Sequence, residues 1–61
     1  MEPKFRIGQR IKIQYKDSKP VFGIVMQIIK SDTTSYYGIS CEGYGPGIYM
    51  FNEKVVFAPG E

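Results

Sequence analysis

A small all-β domain is the fold this sequence predicts, on three observations: its composition, a long stretch of alternating polarity, and turn residues spaced at strand-length intervals. Eight Ile, four Val, five Tyr and four Phe stand against one Ala and no Leu. Such residues suit a pleated, half-buried surface, and the best helix formers are nearly missing. At 61 residues the chain is one domain, with its core expected from about residue 5 to residue 57. A chain of this size buries only ~60 % of the surface it exposes when unfolded. Neither a disulfide nor a zinc knot is available to reinforce it, because there is a single cysteine, Cys41, and no histidine. Hydrophobic content of 43 % with 23 % charged residues argues for a folded globule over a disordered segment.

The alternation runs from Lys4 to Tyr15. Phe5, Ile7, Ile11, Ile13 and Tyr15 take odd positions, broken only by Gln9, while Lys4, Arg6, Arg10, Lys12, Gln14 and Lys16 take even ones. This predicts one strand with an apolar and a cationic face, and with a bend or bulge at Gly8. Asp17-Ser18-Lys19-Pro20 is a turn cluster. Val21 to Ile29 reads as a second strand, apolar on both faces, with Gly23 allowing sharp coiling; such a strand is central in a barrel or covered by another subunit. After the polar loop Ser31–Ser35 a third strand is expected from Tyr36 to about Glu42. The reversal Gly43-Tyr44-Gly45-Pro46-Gly47 leads to a fourth strand, Ile48 to Asn52. A single helical turn at Asn52-Glu53-Lys54 precedes a short fifth strand, Val55 to Phe57. Five short antiparallel strands with one helical turn before the last make a small, strongly bent barrel.

Three segments in this order, Phe5-x-Ile7-Gly8-x-Arg10-Ile11-x-Ile13, Phe22-Gly23-Ile24-Val25-x-x-Ile28 and Tyr49-x-Phe51-x-Glu53-Lys54-Val55, resemble the SH3-like small-barrel superfamily. The resemblance spans nearly the whole chain and implies an SH3-like barrel. It implies no single function, since members include KOW-type and Tudor-like nucleic-acid modules, peptide-binding adaptors, enzyme accessory subunits and small phage proteins. Gly8-x-Arg10-Ile11-Lys12 and Gly23-Ile24-Val25 are also similar to steps in the plasmid-borne type II dihydrofolate reductases, tetramers built around a pore. The pore-lining Gln-Ile-Tyr of that family is absent, the comparable strand reading Ile48-Tyr49-Met50-Phe51-Asn52, and its tryptophan is missing too. No catalytic residue is carried over.

Catalytic chemistry has little to draw on. Without histidine there is no proton shuttle near neutral pH and no imidazole to activate Cys41, which shares a strand face with Tyr37 and Ile39 and reads as a buried structural thiol. The six carboxylates (Glu2, Asp17, Asp32, Glu42, Glu53, Glu61) are scattered, with no pair spaced for acid–base work or a metal cage. The glycines at 43–47 lack the Gly-Lys-Ser/Thr and the helix of a phosphate-binding loop. The expectation is a non-catalytic protein with no cofactor and no metal.

Charge carries the strongest functional signal. Residues 1–30 hold seven basic residues against two acids, a balance of +5, whereas residues 31–61 hold Lys54 against four acids, a balance of −3. On one strand Lys4, Arg6, Arg10 and Lys12 would project every second residue, ~7 Å apart, close to the phosphate spacing of a single strand. Lys16 extends the stripe, and Tyr44 at its turn tip offers a ring for stacking. The same charges would serve as ordinary solvated surface or as protection of a strand against edge pairing. Tyr36, Tyr44 and Tyr49 form a second candidate surface suited to a protein partner. Two strands apolar on both sides point to a homo-oligomer.

The expectation is therefore a binding module for an anionic partner, nucleic acid foremost, with Lys4, Arg6, Arg10, Lys12, Lys16 and Tyr44 as its site. The alternative is a protein-interaction module, such as a phage-type adaptor or inhibitor, acting through Tyr36, Tyr44 and Tyr49; more remote is an oligomeric pore enzyme. No apolar run approaches the ~20 residues that span a bilayer, and Met1–Arg10 does not read as a signal peptide. Together with a lone reduced-type cysteine this gives a cytoplasmic expectation with no membrane partner.

Overall fold

The turn around Gly8 decides where the first strand begins. In the computed structural model, which describes residues 4–61, Gly8 takes φ +90°, a backbone conformation that lies outside the extended region and that L side chains avoid. Gln9 seals the turn, its N–H donating to Arg6 O (3.1 Å) and its Oε1 accepting from Arg6 N–H (3.1 Å). β1 is therefore Arg10–Ile13, four residues rather than the stretch from Lys4 to Tyr15 that the alternation predicts. Ile7 and Tyr15, expected inside, are 67 % and 52 % exposed. Glu2, counted above among the amino-terminal acids, and the first residues of the Met1–Arg10 segment lie outside the described residues.

The remaining elements follow the sequence expectations to within a residue or so: β2 Val21–Lys30, β3 Ser35–Cys41, β4 Tyr49–Asn52 and β5 Val56–Phe57, with a 3₁₀ turn over Glu53–Val55. Asn52 caps that turn, its side-chain oxygen accepting from Lys54 N–H. The five strands are antiparallel in the order β4-β3-β2-β1-β5 and form a curled half-barrel. Among the described residues β4 and β5 are its two unpaired edges.

Curling has two local causes. At Gly23 a Cβ would stand 2.5 Å from Ser40 O and 2.6 Å from Ile39 Cγ2, so only glycine lets β2 and β3 approach this closely. Between Val25 and Gln27 the β2–β3 register slips, and Met26 is the extra residue of a bulge, which bends and twists a strand. The reversal into β4 uses positive φ at Gly43, Gly45 and Gly47, as its glycine content predicts.

Cross-strand register fixes the two faces, because directly paired residues point to the same side. The concave face holds Ile11, Ile13, Val25, Tyr37, Ile39, Cys41 and Val56, joined by Phe5 from the amino-terminal segment; all eight are buried. Val21, Ile28, Tyr49, Phe51, Val55 and Ala58 pack around them. Each fully buried aliphatic or aromatic side chain contributes ~1.5–3 kcal/mol.

Phe5 reaches this core through Tyr37 and not through strand pairing. The Tyr37 ring is fully buried and meets Phe5 edge to face at 5.7 Å. Its hydroxyl accepts from the backbone N–H of Lys4 (2.9 Å) and of Phe5 (3.3 Å). A buried ring thereby ends in a polar group that has partners. Replacing Tyr37 by Phe leaves two backbone donors without their acceptor. The expected result is a loss of about 1–3 kcal/mol, read as a lower urea midpoint with unchanged slope, together with faster amide exchange at Lys4 and Phe5.

Candidate nucleic-acid interface

The convex face of the sheet is built by the same register that builds the core. Lys12 pairs with Phe22 of β2 on one side and with Phe57 of β5 on the other. Phe22, Lys12 and Phe57 thus form one row across three strands. Neighbouring strands lie ~4.8 Å apart, which puts the backbone positions of the two phenylalanines ~10 Å from each other with that of Lys12 between them. One step along β1, Arg10 pairs with Ile24 and points to the same side as Lys12.

Each ring also carries a cation. The Arg10 guanidinium lies 4.9 Å from the Phe22 centroid, and Lys4 Nζ lies 5.8 Å from that of Phe57 and 5.5 Å from that of Phe5. Arg10 and Lys12 hold the positions expected of them on β1. Lys4 joins them by another route, since the segment before Gly8 folds back under the Tyr37 hydroxyl and delivers Lys4 to Phe57. Lys16 lines an open groove with Lys12, Gln14, Tyr15 and Phe57. Arg6 stands exposed on the Gly8 turn, away from β1, so the four-residue stripe at even spacing is reduced to Arg10 and Lys12.

Two acids temper this field. Glu42 Oε2 accepts from Arg10 Nη2 at 3.2 Å, in an exposed pair worth ~0–1 kcal/mol. Glu61 lines the groove, and its backbone oxygen accepts from Lys12 Nζ. The four cations Lys4, Arg10, Lys12 and Lys16 keep an excess over these two carboxylates.

Tyr44 and Tyr49 pack together, and Tyr36 lies apart from them. Tyr44 is 49 % exposed in the β3–β4 turn, two residues beyond Glu42, and its ring packs edge to face on Tyr49 at 5.3 Å. Tyr49 turns to the concave side, packs on the core and donates its hydroxyl to Tyr44 O (2.9 Å). Tyr36 lies on the convex face beside Ile29 and Asn52. These three rings do not converge on one surface. Phe22 and Phe57, the rings that meet cations on the strands, are not among the candidates the sequence offers. Their only sequence signal is that each sits in an apolar strand at the parity opposite to that strand's buried residues.

Cys41 is buried beside Ile39 and Tyr37 as expected, 5 % exposed, and burial pushes its thiol above the ordinary value of 9.0. No protein family, curated protein or solved structure matches the chain.

The raised thiol pKa has a signed consequence. Below about pH 9.0 the thiol is neutral in both folded and unfolded chains; above it the unfolded chain ionises first, so stability falls as pH rises toward the folded value. Cys41→Ala is expected to remove that part of the alkaline slope, measured as urea midpoints from neutral pH upward. At neutral pH the native thiol is expected to react with a disulfide reagent far more slowly than the unfolded one.

Proposed function

We propose that the chain is a non-catalytic SH3-like binding module whose convex β5-β1-β2 surface holds nucleic acid. The observation that carries this reading is the row Phe22–Lys12–Phe57, with Arg10 on one ring and Lys4 on the other. Alternating rings and cations suit a polymer that alternates bases and phosphates, because every base has a face to stack and every phosphate a charge to neutralise. Rings carried on separate strands offer their faces to unstacked bases, so the reading favours single strands over duplex. The SH3-like assignment is supported by the strand order, the long bent β2 and the 3₁₀ turn before the last strand.

Arg10 and Lys12 position the backbone in this scheme, Lys4 and Lys16 extend the positive field, and Phe22 and Phe57 stack. Glu42 acts as a competitor for Arg10. Tyr44 and Arg6 stand at the margins, where they contribute through long-range charge or an added stacking contact.

The test is fluorescence anisotropy with short single- and double-stranded DNA and RNA across a salt series. Single-strand binding is expected with a log–log salt slope of about −2 to −3, at ~0.7 per phosphate met. Lys12→Glu should weaken it at least ~10-fold, and Phe22→Leu should weaken it without changing the salt slope. Glu42→Gln should tighten it by freeing Arg10. No binding at low salt, or binding indifferent to Lys12→Glu, overturns the reading.

A further inference from the structure

Past Ile13 the contact between β1 and the end of the chain continues for one more residue. The Gln14 backbone N–H donates to Val55 O (2.9 Å), so Gln14 follows Lys12 on the convex side. The chain then turns. Tyr15 O accepts from the Ser18 N–H (3.2 Å) and from the Ser18 hydroxyl (3.4 Å), and the Gln14 side-chain amide donates to Ser18 O (3.3 Å). Tyr15 shares the parity of Ile11 and Ile13, yet it is exposed and is not part of the core. Its ring instead lines a groove of about 440 Å³ together with Lys12, Gln14, Lys16, Phe57 and Glu61, within the ~300–1,000 Å³ of small-ligand sites.

Three kinds of group meet in this groove. Tyr15 and Phe57 offer aromatic surface, and Lys12 and Lys16 offer positive charge. Gln14 offers an amide: its hydrogen bond to Ser18 O uses one N–H and leaves a second N–H and the carbonyl oxygen for a ligand. Glu61 is the acid of the lining. Its carboxylate accepts from its own turn, at the Ala58 N–H (3.0 Å), so the two lysines keep the groove positive. Asp17, on the same turn as Lys16, does not line it.

We propose that this groove seats one nucleotide of the bound strand, with its base against Tyr15 and Phe57, its phosphate at Lys12 and Lys16, and Gln14 reading the edge of the base. The inference rests on the nucleic-acid reading and adds Gln14 and Tyr15 to it. A flat ring joined to a phosphate is the ligand chemistry that uses every group present; a bare anion leaves the rings idle, and a neutral ligand leaves the lysines idle. A unit of a strand is favoured over a free mononucleotide because the groove shares Lys12 and Phe57 with the Phe22–Lys12–Phe57 row, so a strand lying along that row runs into it. Rings and lysines accept any base, whereas an amide pairs at two points with a matching base edge. Gln14 is thus the residue through which this surface prefers one base.

The test is an NMR titration of amide shifts in the full chain, once with short single strands of each base and once with the matching 5′-mononucleotides. Strands are expected to shift Gln14, Tyr15, Lys16 and Phe57 together with Arg10 and Phe22. Tyr15→Ala should weaken strand binding about 5-fold or more with the salt slope unchanged, Tyr15→Phe should bind as the parent does, and Gln14→Leu should narrow the spread of affinities among the bases. Mononucleotides should shift the same groove amides at least ~10-fold more weakly than strands. Strand binding that moves Arg10 and Phe22 but spares the groove, and is indifferent to Tyr15→Ala, overturns the proposal and leaves the nucleic-acid reading standing. Mononucleotides that bind as tightly as strands make the groove a free-nucleotide site, which also overturns it. Absence of any shift with strands overturns both readings. Circular dichroism melts of the variants separate lost binding from lost folding, and the parent's own shift map decides the matter even if one variant fails to fold.

Discussion

The Tyr37 hydroxyl is the contact on which both the fold and the site depend. Strand pairing accounts for the position of every element from β1 onward, but the segment before Gly8 lies outside the sheet. It is held by the Tyr37 hydroxyl, which accepts from the backbone N–H groups of Lys4 and Phe5, and by the turn that Arg6 and Gln9 close. The bond seats Phe5 in the core and, by the same act, carries the Lys4 ammonium toward Phe57. A small curled half-barrel with no disulfide has few means of closing its open end. Here that end is closed by a tyrosine reaching through the core, and the surface chemistry on the outside is set by where that tyrosine ends.

Much of this architecture is legible in the sequence, because apolar parity and turn residues are local signals. The limits of β2 to β5, the capped turn at Asn52, the glycine reversal and the inward face of Tyr37, Ile39 and Cys41 can all be read in this way. The alternation from Lys4 to Tyr15 misleads for an equally local reason: polarity continues to alternate through Gly8 while the backbone leaves the extended region. Ile7 then faces water although its parity would bury it. The grouping of Phe22 and Phe57 around Lys12 is set by register, which no stretch of a single strand contains. Tyr49 is the converse case, an aromatic in a strand apolar on both sides whose inward direction is decided by its pairing with Ile39.

The unequal length of the strands explains why one convex face carries two kinds of surface. β3 runs beside β2 from Gly23 to Lys30, whereas β1, which brings the cations, pairs only with Val21–Ile24. The charge imbalance between the halves of the sequence thereby becomes a spatial one. A basic, aromatic surface and the outward side chains of Ile29, Tyr36 and Met50 lie side by side in a chain of 61 residues, without competing for the same side chains.

The strand order also ranks the pairings by the cost of closing the loop between them. β1–β2, β2–β3 and β3–β4 are neighbours along the chain and form as local hairpins, whereas β1–β5 joins the most distant pair and carries the largest loop-closure cost. That last pairing is the one that sets Phe57 beside Lys12. The outward residues Ile29, Tyr36 and Met50 rest on the shorter-range pairings, whereas the aromatic–cationic row needs the longest one. A β1 edge without β5 would be open to strand mispairing between chains, and the positive charge of Arg10 and Lys12 on that strand opposes it.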